Sequence, residues 1–175
     1  ADIISNYNVA TANTKRKQFI FGGGLFYKIN EEDYFSITIN SKLQSEPFEI
    51  NTLTYNKKEE VENNVVTHSN NESVKNFVNS FINYSKKIKP INTQLFTGFQ
   101  YSYFDQDLKY LAKNNFNETQ FEMAQKSHQK FNVAVISGRL DLEKKFKNEM
   151  KLEVGGLYLS ADAKTDFENL NFENN

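Results

Sequence analysis

The chain has 175 residues, enough for one domain, and its 38% hydrophobic and 25% charged residues fall in the ordinary range of folded proteins. Lysine plus arginine (21) almost balance aspartate plus glutamate (22), so there is no bulk positive field to hold nucleic acid. Cysteine is absent, which excludes disulfides, thiolate metal sites and a thiol nucleophile, and no run approaches the roughly 20 apolar residues of a spanning helix.

Alternation of apolar and polar residues, the period of a strand with two unlike faces, recurs six times along the chain. Strands are expected at 17–29, 34–41, 74–84, 93–104, 130–142 and 149–160. In the first, Phe19, Phe21, Leu25 and Tyr27 share one face, with Gly22, Gly24 and Lys28 on the other. In the second, Phe35, Ile37 and Ile39 oppose Ser36, Thr38 and Asn40. The third is the least regular, because Phe77 and Phe81 fall opposite Val78, Ile82 and Tyr84. The fourth sets Leu95, Phe99, Tyr101 and Tyr103 against Gln94, Gly98, Gln100 and Ser102. The fifth has Ala134, Ile136, Leu140 and Leu142 opposite Ser137, Arg139 and Asp141, and the sixth has Met150, Leu152, Val154 and Tyr158 opposite Lys151, Glu153 and Gly155.

The connections alternate between short and long. Residues 29–33, 85–92 and 143–148 form short charged turns, whereas 41–73 and 105–129 are expected as long polar loops and the tail from Ala161 as the start of a third. In an antiparallel meander this puts all short turns at one rim and all long loops at the other. Outer-membrane barrels are laid out in this way, on strands of about 9–11 residues with apolar side chains facing out and polar ones facing in. A soluble sandwich has no reason to sort its loops by length. The expected fold class is therefore all-β, an antiparallel up-and-down meander forming part of a transmembrane β-barrel, with no second domain. Closure takes at least about 8 strands, so six predict further wall strands outside these residues. The start without Met and the Asn-rich end agree with that expectation.

Charges suggest a register for the last hairpin. Placing Leu142 opposite Met150 aligns Asp141 with Lys151 and Arg139 with Glu153, whereas a slip of two residues opposes Arg139 to Lys151. The first register is the one expected.

Two stretches carry a resemblance. Gly22-Gly23-Gly24-Leu25-Phe26-Tyr27-Lys28-Ile29-Asn30-Glu31 followed by Tyr34-Phe35-Ser36-Ile37-Thr38, and Lys151-Leu152-Glu153-Val154-Gly155-Gly156-Leu157-Tyr158, resemble strands of the outer-membrane β-barrel family related to TonB-dependent receptors. The resemblance covers residues 17–160 and rests on short motifs. It implies a larger barrel in the cell outer membrane with a plug domain inside, an energy-coupling protein as partner, and uptake of a nutrient too large for porins. Neither plug nor coupling segment is visible in this sequence.

Catalytic and ligand-binding patterns are missing. The Gly22–Gly24 run lacks the Lys-Ser or Lys-Thr of a phosphate loop, and in a strand glycines mark bends or close backbone approach. His68 and His128 lie in separate long loops without metal-ligand spacing, and Asp105 and Asp107 lack the glycine and terminal glutamate of a calcium loop. No Gly-x-Ser-x-Gly elbow occurs. No metal, no cofactor and no catalytic residue is expected, the ligand is unknown, and the chain is not expected to be an enzyme. Recognition is expected in 51–71 and 108–123, where Leu108, Leu111 and Phe116 suggest a short helix or loop packing. The competing expectation is a soluble exported β-rich domain that binds a surface partner or glycan and buries its aromatic face as a core.

Overall fold

Apolar residues at every second position need a surface to cover, and backbone groups between them need partners. A computed structural model, which describes residues 4–58, 61–116, 122–148 and 150–174, satisfies the second need within a single sheet. Its strands are β1 (Ile4–Thr14), β2 (Lys17–Lys28), β3 (Tyr34–Lys58), β4 (Val61–Ile88), β5 (Thr93–Phe116), β6 (Glu122–Lys145) and β7 (Lys151–Asn174). Every pairing is antiparallel. The order is β1-β3-β4-β5-β6-β7, with β2 also on β3.

β1 and β2 are one edge strand broken in the middle. Both keep the same register on β3, Thr14 facing Phe48 and Lys17 facing Ser45. The gap faces Pro47, whose carbonyl accepts from the Lys15 N–H at 3.1 Å but which has no N–H to return. The sheet is thus six strands wide. Its two outer edges, β1–β2 and β7, do not pair with each other.

The six alternating runs fall on strands, except that Ile29 and Met150 lie just outside β2 and β7, and their short turns share a rim as expected. The long loops do not exist in the expected form. β3 and β4 run for 25 and 28 residues and β5, β6 and β7 for 24 each, so most of 41–73, of 105–129 and of the tail from Ala161 is strand. His68, Asp105, Asp107 and His128 sit in ladders rather than loops, as do Leu108, Leu111 and Phe116, where a short helix or loop packing was expected. In these extensions polar residues occupy both faces, so hydrogen-bonded strand carries no amphipathic mark. β1 escaped expectation for the same reason. Glu149, the first residue of the sixth expected strand, lies outside the described residues.

The last hairpin also differs from expectation. Leu142 faces Val154, Asp141 faces Gly155 and Arg139 faces Leu157, a slip of four residues. β6 continues to Lys145, where its N–H donates to the Asn92 carbonyl at 3.3 Å and its carbonyl accepts from Asn92 Nδ2 at 2.9 Å. The turn then closes through Phe146 N–H to the Met150 carbonyl at 2.9 Å. Asn92 holds this position with φ 48°, a left-handed conformation that asparagine tolerates. Exposed charge pairs contribute about 0.2–1 kcal/mol each and do not outweigh the added ladder and this anchor. The like pairs that result, Lys145 with Lys151 and Glu143 with Glu153, are neutralised by neighbours, as Glu143 bonds both lysines.

The sheet has no second layer among the described residues. Among the described residues, Ala112, at 3% exposure, is the one buried hydrophobic, while Phe99 is 46%, Leu25 60% and Tyr158 68% exposed. The packed aromatic core of a soluble domain is not present within these residues.

The glycine run tests the placement of β2. A methyl added at Gly24 meets the Ile37 carbonyl oxygen at 2.9 Å, whereas at Gly23 nothing lies within 4 Å. Gly24→Ala is expected to destabilise the refolded full-length protein by about 1–3 kcal/mol, and Gly23→Ala to leave it unchanged or up to about 1 kcal/mol more stable. Urea midpoints of the two variants measure the difference.

Candidate functional site

Register assigns every side chain to one of two faces. On the face that carries Phe99, five alternate positions of each strand, within 19–27, 35–43, 76–84, 95–103, 134–142 and 152–160, hold no Asp, Glu, Lys, Arg or His. Charges resume at both margins: Asp33, Lys86 and Lys144 on the short-turn side, Lys17, Asp105 and Asp162 on the other. The uncharged zone is at least nine residues tall on each of β2 to β7, and tallest on β3, where the next charge on this face beyond Leu43 is Glu49.

This belt is not level with the hydrogen-bond rows. Tyr27, Phe35 and Tyr84 share a row, but the belt begins one row lower on β5 and β6, at Leu95 and Leu142, and one lower again on β7, at Leu152. Four residues of stagger over five strand spacings correspond to a tilt of about 30°, and nine residues at that tilt to a height of about 27 Å, from about 3.4 Å per residue and about 4.8 Å between strands. Tilted strands with an apolar band of about 25 Å are the geometry of barrels that cross the outer membrane.

The opposite face is polar with aromatic interruptions. Near the short-turn rim, Arg139 Nε lies 2.5 Å from Asp141 Oδ2 and its guanidinium 5.9 Å from the Phe96 ring centroid. Lys151 bridges Glu143, at 2.8 Å, to Glu153. Donating hydrogen bonds to Glu143 and then to Glu153 pushes the Lys151 ammonium up to about 12. Arg139, Asp141, Glu143 and Glu153 border a groove of about 700 Å³ with Gln94, Gly155 and Leu157. Gly155 leaves room for the Asp141 carboxylate, and Gly98 for the Asn83 amide and Phe96 ring. Farther along, Ser102 Oγ donates to Asn79 Oδ1 at 3.0 Å. The period-two alternation had marked Arg139, Asp141, Lys151 and Glu153 as one face; the stacking on Phe96 depends on the register of β5 with β6 and the role of Glu143 on the shifted register of β6 with β7, and neither was legible.

A second charged group lies at the break of the edge strand. Glu46 accepts from Arg16 at 2.5 and 3.0 Å and from Gln44 Nε2 at 2.9 Å, with Lys75 at 3.7 Å. Hydrogen bonding to Arg16 holds its carboxyl below the usual range. His128 and Asp107 meet at 2.9 Å on the outward margin, and His68 lies 2.6 Å from Asn51. Among the described residues, no three His, Asp or Glu side chains gather as metal ligands, and no helix is long and apolar enough to cross a membrane.

A family model described as the outer membrane protein beta-barrel family matches residues 86–175, which include β5, β6 and β7 and more than half of the chain. The chain belongs to the outer membrane protein beta-barrel family. No curated protein matches it. Solved structures with some likeness include the ferric citrate transporter FecA in its unliganded form, at 12% identity over 93% of this chain and 33% of that one, with a TM-score of 0.28. Others are OccK10 of Pseudomonas aeruginosa (5% identity, 89% and 72% covered, TM-score 0.17) and the translocator domain of the autotransporter NalP of Neisseria meningitidis (7%, 97% and 86%, 0.18). This outer membrane beta-barrel chain spans about a third of the length of FecA.

The short-turn rim of the family member is locked by one carboxylate. Asn30 Oδ1 accepts the N–H groups of Glu32 and Asp33 at 2.9 Å, and Asp33 Oδ1 accepts the Lys87 N–H at 2.6 Å, tying the first turn to the end of β4. The Lys87 backbone bond, then the Asn30 side chain, hold the Asp33 carboxyl below its ordinary value. A lowered folded value means that the stabilisation is complete above the unfolded value, about 3.9, and is lost as pH falls through the folded one. Hydrogen exchange at the Lys87 amide, corrected for intrinsic rate, is expected to lose protection below about pH 4, and Asp33→Asn to abolish that dependence.

Proposed function

We propose that the chain is a length of wall of an outer-membrane receptor or transporter, working in TonB-dependent uptake of a nutrient and carrying no catalytic step. The observation that supports it most is the uncharged belt, at least nine residues tall on all six strand widths, backed by a face with ionised groups and a groove. A wall of this kind separates hydrocarbon outside from a polar interior. Lipid is the proposed partner of the Phe99 face, and further barrel strands are the proposed partners of the β1–β2 and β7 edges. The glycine–aromatic–Lys–Ile–Asn hairpin at 22–30 and the Leu-Glu-Val-Gly strand at 152–155 support the relation to TonB-dependent receptors, and with it a plug domain and an energy-coupling protein. The strands also run some 15 residues past the belt on the side away from the short turns. Such an extension offers a vestibule for a ligand larger than a porin solute.

Fractionation of cells expressing the full-length protein is the first test: it is expected in the outer membrane and in solution only with detergent. Release without detergent would favour an exported soluble binding domain. Uptake of the nutrient is expected to stop in cells lacking the energy-coupling protein; uptake that persists would contradict the coupled mechanism. Within the belt, Phe99→Arg is expected to destabilise the protein in vesicles by about 2–4 kcal/mol. Asn70→Arg, on the same face beyond the belt, is expected to change urea stability by less than about 0.5 kcal/mol.

A further inference from the structure

The two margins of the belt are unlike in charge. On the margin away from the short turns, the first charged positions of the Phe99 face are Lys17, Asp105 and Asp162, followed by Asp107, Lys130, Lys164 and Asp166. Acids and bases are mixed there, and some are paired, as His128 is with Asp107 and Lys164 with Asp162 at 3.9 Å. On the short-turn margin the strands contribute Lys86 and Lys144; of the carboxylates in the adjoining first turn, Glu31, Glu32 and Asp33, Glu32 lies 4.0 Å from Lys87 and Asp33 has both oxygens occupied by Lys87 N–H and Asn30 Nδ2.

Lys86 and Lys144 flank β5 from β4 and β6. Lys86 pairs with Leu95 and Lys144 with Thr93, so their backbones are two strand spacings apart, about 10 Å across the sheet. Each lies one alternate position below an uncharged belt residue, Tyr84 and Leu142. Lys86 is exposed. The Lys144 ammonium lies 5.2 Å from the ring centroid of Phe146, on the short-turn side of the belt. An ammonium at the end of an aliphatic stem, just beyond an apolar band, sits at headgroup depth.

We propose that Lys86 and Lys144 form a docking surface for anionic phospholipid headgroups, whose phosphates they contact in the leaflet on the short-turn side of the membrane. This rests on the belt's being the lipid-facing surface and is continuous with it. The mixed-charge margin at the other end lacks the net positive charge to do the same, so the preference has a direction across the membrane. It gives the wall an annular lipid shell enriched in negative charge on one side.

The test uses the full-length protein reconstituted into phosphatidylcholine vesicles containing a minor share of phosphatidylglycerol, with retained lipid counted by mass spectrometry after mild detergent extraction. Wild type is expected to retain phosphatidylglycerol above its share of the vesicle. Lys86→Gln and Lys144→Gln are each expected to lower that enrichment about fivefold, from about 1 kcal/mol per lysine at an anionic surface. The paired Lys→Arg variant is expected to keep it, as is the control pair Lys109→Gln and Lys126→Gln at the far end of the same face. Equal enrichment in wild type and both glutamine variants overturns the proposal, and so does an equal loss in the control pair. Wild type embedded in vesicles without enrichment overturns this proposal alone, whereas protein that does not enter vesicles overturns the reading of the belt.

Discussion

Everything in this molecule depends on where backbone hydrogen bonds go. A peptide group in hydrocarbon has no water to turn to, so a wall that crosses a membrane must satisfy each N–H and C=O within its own ladder. The antiparallel ladders of β3 to β7 do this over 24 to 28 residues without interruption. Where one donor is missing, at Pro47, the strand beside it parts into β1 and β2, and the charged group around Glu46 gathers at the break. That break lies beyond the belt, where water can serve the orphaned carbonyl.

With the ladders fixed, side chains divide the sheet into zones by simple periodicity. Two faces and three heights result: an uncharged belt on one face, a polar and partly aromatic surface behind it, and charged segments beyond each margin. The stagger of the belt against the hydrogen-bond rows ties chemistry to geometry. Tilt is recorded in the sequence as a two-residue step from β4 to β5 and again from β6 to β7, and it yields the height of an apolar membrane layer without any appeal to a relative.

The belt was legible in the sequence because it is the part of each strand where the two faces differ. Phe35, Ile37 and Ile39 against Ser36, Thr38 and Asn40 can be seen in one line of text; Asn51, Thr52, Thr54 and Asn56 cannot. The extensions of β3 and β4 are held by the same ladder but carry polar residues on both faces, so nothing in their pattern distinguishes them from loop. Similarly, the β6–β7 register turned on the bonds between Asn92 and Lys145, a contact across 53 residues, while local charge pairing pointed four residues away. Face assignments survived this slip because it was even, which is why Arg139, Asp141, Lys151 and Glu153 still share the inner groove.

The absence of cysteine makes the central claim directly measurable, since single cysteines can be introduced one at a time. Spin labels at successive positions from 93 to 109 of β5, in the full-length protein in lipid vesicles, report access to oxygen dissolved in the bilayer and to a water-soluble relaxant. The account predicts a period of two, with oxygen access at 95, 97, 99, 101 and 103 and water access at 105 and 107. Water access at position 99, or a loss of alternation between 95 and 103, would contradict it.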